Sequence, residues 1–105
     1  MQQPNLSYLK SMSDGDKVFQ QKLIDIIKSE FPIEKKHYLN NIKDKNFKAT
    51  AENVHKIKHK ISILGLVKGY EIAANYENNL NQNSTKGKAE FESILKLITK
   101  FLKTI

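Results

Sequence analysis

Cysteine is absent from all 105 residues, which removes disulfides and thiolate metal sites from consideration. Arginine is absent as well, and all 18 basic side chains are lysine. Sequence-specific reading of bases leans on the planar, bidentate guanidinium, so that function is disfavoured. Glycine is scarce, at four residues, and none of the four stands in a GxxxxGK[ST] or GxGxxG setting. The chain therefore cannot hold ATP in either of those ways, and no kinase activity is expected of it alone. No nucleophile elbow is present, and no apolar run approaches the ~20 residues that span a bilayer. Strand-like alternation, internal repeats and low-complexity tracts are missing too. The opening Met1-Gln2-Gln3-Pro4 lacks the basic and apolar regions of a signal peptide. A cytoplasmic protein without a membrane partner is the expectation.

What is present suits one small soluble domain covering residues 1–105. The apolar fraction is 39% and the charged fraction 28%, enough for a single core but not two. The formal charge is +7, spread along the chain, and it favours an acidic partner. Charge by itself does not choose among nucleic acid, an anionic membrane and an acidic protein pocket.

Helical periodicity dominates. Leu6 to Lys10 reads as a short helix with Asn5 as its N-cap. After the turn Ser13-Asp14-Gly15-Asp16, a helix is predicted from about residue 14 to 30, with Val18, Phe19, Leu23, Ile26 and Ile27 as its apolar stripe. Phe31-Pro32 is expected to end it, because the residue before proline avoids helical backbone angles. A weak amphipath follows over residues 33–43, with Tyr38, Leu39 and Ile42 as buried candidates. Residues 47–64 form the next helix. Another spans residues 67–81, with Leu66, Tyr70, Ala73, Ala74 and Leu80 on one flank. The last, residues 88–104, has the cleanest stripe: Phe91, Ile94, Leu95, Ile98, Phe101, Leu102 and Ile105. Short connections make consecutive helices antiparallel neighbours. The expected fold is all-α, an up-down four-helix bundle with a short N-terminal helix and a C-terminal helix added.

The chemistry concentrates in the helix over 47–64. Val54, Ile57, Ile61 and Leu64 fall on one flank, and His55 lies roughly 120–130° from its centre. His55 shares the wet face with Lys58, His59 and Ser62, since residues three, four and seven apart stack together. Lys56, Lys58 and Lys60 surround the two histidines, and like charge disfavours the imidazolium. A neutral, exposed imidazole with a lysine one turn on suits a phosphoryl acceptor. Phosphoryl transfer asks a protein mainly for position and for cations near the equatorial oxygens. Gly65 closes the segment, as glycine commonly does past a helix end.

These residues resemble the signature of histidine phosphotransfer (HPt) domains. The likeness runs through Leu6 and Leu9, Gly15-Asp16, Phe31-Pro32, and then His55, Lys58 and Gly65 in order. It implies that His55 takes a phosphoryl group from a receiver-domain aspartate and passes it to another receiver. By the same likeness Lys58 steadies the phosphate, and His59, Ser62 and Lys56 belong to the face where the receiver docks. Receivers and a hybrid sensor kinase are the implied partners. Magnesium is expected on the receiver and no cofactor on this chain. The excess of lysine would speed the encounter with an acidic receiver surface. One position departs from the pattern: where the family commonly has a small residue, four after the histidine, this chain has His59.

Other readings rank lower. His55 and His59 have the i, i+4 spacing of a zinc helix, but lysines flank them and no acid lies between. Glu52, three residues before His55, is expected to be a solvated acid, with a hydrogen bond to the imidazole as the alternative. The rivals to phosphotransfer are a basic helical module that contacts nucleic-acid phosphates, and an inactive interaction domain of the same architecture. A small bundle with a polar surface is most simply a monomer.

Overall fold

The computed structural model describes residues 3–105. Met1 and Gln2, part of the opening stretch expected to carry no signal peptide, lie outside them. Five helices follow one another: α1 (Ser7–Ser13), α2 (Lys17–Lys43), α3 (Phe47–Ile63), α4 (Val67–Asn81) and α5 (Lys88–Leu102). No strand occurs among the described residues.

Local chemistry sets most of the boundaries. The Asp16 carboxylate accepts from the Phe19 N–H at 3.0 Å and opens α2; Asn46 does the same for Ala49 at 3.3 Å and opens α3. Both satisfy an amide that has no carbonyl partner in the first turn. Asn5 stands one residue outside the position expected of it: its side chain accepts from Ser7 N–H at 3.0 Å, and Leu6 is the cap residue. Its own N–H donates to the Leu64 carbonyl at 2.8 Å, tying the N-terminal segment to the end of α3. Gly65 sits beside that tie at φ +79°, and a Cβ there would come within 2.6 Å of Asn5 Nδ2. Backbone angle and space both call for glycine.

Phe31-Pro32 does not break the chain. One helix runs through it from Lys17 to Lys43, with Pro32 inside. A proline in a helix interior costs about 3 kcal/mol through the lost N–H and the ring's clash with the preceding turn. Continuity is favoured by burial on both sides: Ile24, Ile27, Phe31 and Tyr38 are all in the core. Their spacing of three, four and seven residues holds them on one face of a single helix. That phase also corrects the predicted stripe. Val18, at 70% exposure, Phe19, Ile26 and Leu39 face outward, because the longer helix takes its rotation from Phe31 and Tyr38.

Cross-helix pairs establish direction. Asn41 meets Asn53, and Glu30 and Glu34 meet Lys60, so α2 and α3 are antiparallel. His55 and Lys58 meet Glu77 across α3 and α4, Tyr76 packs on Phe91 across α4 and α5, and Lys35 reaches Thr99 to close α5 onto α2. The four long helices thus enclose one core, which includes Val54, Ile57 and Ile61 of α3 and Phe91, Ile94, Leu95 and Ile98 of α5. On α4, Leu66, Ala73 and Leu80 are buried as expected, whereas Tyr70 is 38% exposed and Tyr76 fully enclosed. At 1.5 Å per residue the 27 residues of α2 span about 40 Å, close to the molecule's 43 Å long axis.

Candidate functional site

The apolar flank of α3 decides where its histidines go. Val54, Ile57, Ile61 and Leu64 have 0% exposure, which turns His55, Lys56, His59 and Ser62 to solvent. The His55 side chain retains 53% of its accessible surface.

Its nearest partner comes from α4. His55 Nδ1 lies 3.1 Å from Glu77 Oε2, and Lys58 Nζ lies 3.0 Å from Glu77 Oε1. A carboxylate held by an ammonium only accepts, so Nδ1 carries the proton and donates it. In the neutral ring the lone pair is then on Nε2. Glu52, which is exposed, does not fill this role. The partner is 22 residues away in sequence, and only the antiparallel packing of α3 and α4 brings it in.

Lys58 differs from its expected posture. Its side chain is only 13% exposed, with the ammonium on Glu77 and 5.5 Å from the centre of the Tyr70 ring. Glu77 Oε1 makes no hydrogen bond of good geometry, so the link to Lys58 is a charge pair. Lys60 leaves the histidine face altogether. It is buried to 9% exposure and donates to Glu30 at 2.9 Å and Glu34 at 3.0 Å. Helical rotation explains this: Lys60, three after Ile57, falls on the side facing α2. Burial opposes its charge, but the two carboxylates outweigh that and hold its pKa above the ordinary lysine value. The crowd of three lysines around the imidazoles is therefore reduced to Lys56 and a Lys58 already neutralised by Glu77.

Family models, curated proteins and solved structures contain no match to this chain.

His59 stands one turn along, its ring edge-on to that of His55 at 5.0 Å between centres. A cleft of about 300 Å³ opens on the other side of His55, lined by Ala51, Glu52, Lys56, Glu77 and Asn81 as well. Ser62 is exposed farther along α3, beyond the Glu77 pair. Among the described residues no three His, Asp or Glu side chains gather as metal ligands would. The arrangement is an exposed imidazole with an oriented ring, a carboxylate behind it and a cation within a turn. Sequence reasoning missed Glu77 and Tyr70 as members of the site. The signal for Glu77 was its place on α4 opposite the middle of α3, which requires the pairing of the two helices to be known.

Proposed function

We propose that this chain is a phosphocarrier of the HPt kind. In this reading α2 to α5 make the family's four-helix bundle, α1 caps one end, and His55 carries the phosphoryl group between receiver domains. The observation that supports it most is the exposed imidazole whose Nδ1–H is held by Glu77, leaving Nε2 as the nucleophile.

The step balances without any further reagent. The Nε2 lone pair attacks phosphorus of an aspartyl phosphate on the receiver as the P–O bond to the aspartate breaks. The aspartate leaves as a carboxylate with the bonding pair. His55 keeps its Nδ1 proton, and the ring gains positive charge that the Glu77 carboxylate offsets. Transfer onward is the reverse reaction on a second receiver. Lys58 exchanges its contact with Glu77 for a phosphoryl oxygen, one helical turn from the acceptor. His59 narrows the approach to His55 and so restricts which receivers dock. Magnesium belongs to the receiver.

The test is incubation with a panel of phosphorylated receiver domains, followed by mapping of the acid-labile label. Label is expected on His55. His55→Gln should fold normally, since the side chain is half in water, and should take up none. Lys58→Ala should slow transfer while receiver binding persists. Label retained by H55Q would move the site elsewhere. Absence of label from the parent chain, with saturable binding of RNA or DNA at physiological salt, would transfer the case to the nucleic-acid reading.

A further inference from the structure

Across the molecule from His55, on the side where α2 meets α5, lies a cleft of about 520 Å³. That is within the range of roughly 300–1,000 Å³ typical of small-molecule sites. Its floor is apolar: Phe31, Pro32 and Leu39 from α2, with Leu102 from α5. Leu39 is 42% exposed, an apolar side chain standing in water at the cleft's edge. Its rim is cationic. Lys28, Lys35, Lys36 and Lys103 line it, and no aspartate or glutamate does.

Two of the four ammoniums have local partners, neither of them an acid side chain. Lys35 donates to Thr99 Oγ1 at 2.9 Å, and Lys28 donates to the main-chain oxygen of Ile105. The ammoniums of Lys36 and Lys103 make no hydrogen bond or ion pair among the described residues. Lys35, Lys36 and Lys103 have no acid partner there; like charges around one opening repel each other, and an anion placed among them relieves that repulsion. A small inorganic anion would leave the apolar floor wet. A neutral apolar ligand would leave the charges unanswered. A molecule with one anionic head and one hydrocarbon tail satisfies both halves at once.

We propose that the cleft between α2 and α5 binds a single-chain anionic amphiphile, with a free long-chain carboxylate as the ligand class. The tail lies on Phe31, Pro32, Leu39 and Leu102, and the head sits between Lys36 and Lys103. The site is separate from the histidine face and does not depend on the phosphocarrier reading.

Calorimetric titration of the whole chain with dodecanoate, below its micelle threshold, tests this. One saturable site is expected, with affinity falling about fourfold for each methylene removed from the chain. Dodecyltrimethylammonium, which has the tail but the opposite charge, should bind at least tenfold more weakly. The double variant Lys36→Glu, Lys103→Glu and the single variant Leu39→Asp, all at exposed positions, should each weaken dodecanoate at least tenfold. Circular dichroism serves as the check that they fold. His55→Gln should bind dodecanoate as the parent does. Amide shifts in a nitrogen-15 correlation spectrum should move within residues 28–40 and 99–103. Equal binding of the cationic amphiphile would overturn the proposal, as would perturbed amides confined to other segments. Binding to phosphatidylglycerol vesicles without binding of monomeric dodecanoate would overturn it and give the face to a membrane. A sedimentation shift to a dimer that buries the cleft and excludes dodecanoate would overturn it in favour of a second copy.

Discussion

Glu77 is the side chain on which the histidine face turns. It fixes which imidazole nitrogen holds the proton, and it keeps the Lys58 ammonium within reach of the ring. Replacing it with glutamine keeps the shape but removes the charge, and an amide can present either a donor or an acceptor to Nδ1. The tautomer preference should then relax, visible as a change in the His55 ring nitrogen-15 shifts. On the proposed phosphocarrier reading, transfer from a phosphorylated receiver should slow by roughly tenfold to a hundredfold, taking as guide the loss of the orienting partner of a metal-bound histidine. An unchanged rate in Glu77→Gln would show that the carboxylate only anchors α3 to α4. The outward direction of His55 was legible in the sequence, because the apolar stripe of α3 fixes it. Glu77 was not, because nothing local ties position 77 to position 55.

At the scale of elements, α2 carries the main lesson. A proline rule derived from local sterics predicted two helices, and the structure has one. The local penalty is real but is outweighed by burial of Phe31 on one side of Pro32 and Tyr38 on the other. Removing that penalty should be measurable. Pro32→Ala restores the amide that can bond to the Lys28 carbonyl, at an exposed position, and should stabilise the chain by about 1–3 kcal/mol. Urea unfolding followed by circular dichroism reads this directly. A less stable variant would mean that the proline ring packs productively in the α2–α5 cleft it lines. By contrast the periodicity of α5 carries through: Phe91, Ile94, Leu95, Ile98 and Leu102 are buried as their spacing implies, with Phe101 and Ile105 of the same stripe only partly buried.

For the whole molecule, the polar groups buried between helices set the pH response. Tyr38 O–H donates to Glu92 at 2.9 Å, and Tyr76 O–H lies 2.8 Å from Tyr38 Oη. With the Tyr38 proton committed to Glu92, Tyr76 is the donor in that second bond. Burial first, then the bond to the Glu92 carboxylate, push the Tyr38 pKa far above its ordinary value of 10.0. Burial raises Tyr76 as well, and the Glu30 and Glu34 carboxylates raise Lys60 against its desolvation. All three groups hold a proton more tightly folded than unfolded. Their contribution is complete below about pH 10 and declines above it, by up to about 1.4 kcal/mol per pH unit for each group. Thermal melts at rising alkaline pH should show the midpoint falling, with the phenolate absorbance of Tyr38 and Tyr76 appearing only on unfolding. Phenolate signal from both tyrosines before the helices melt would contradict the buried network.

Periodicity alone determined that the chain is helical, where four of the five helices lie, and which way His55 points. These are properties of the spacing between neighbours a few residues apart, and burial of an apolar stripe enforces them wherever the helix packs. Tertiary structure decided the rest: the passage of α2 through Pro32, the withdrawal of Lys60 into a pair of carboxylates, the seating of Lys58 on Glu77 and the lysine-rimmed cleft. Each of these joins residues far apart in sequence, or weighs a local cost against burial contributed by other helices. No window of neighbouring residues contains that balance.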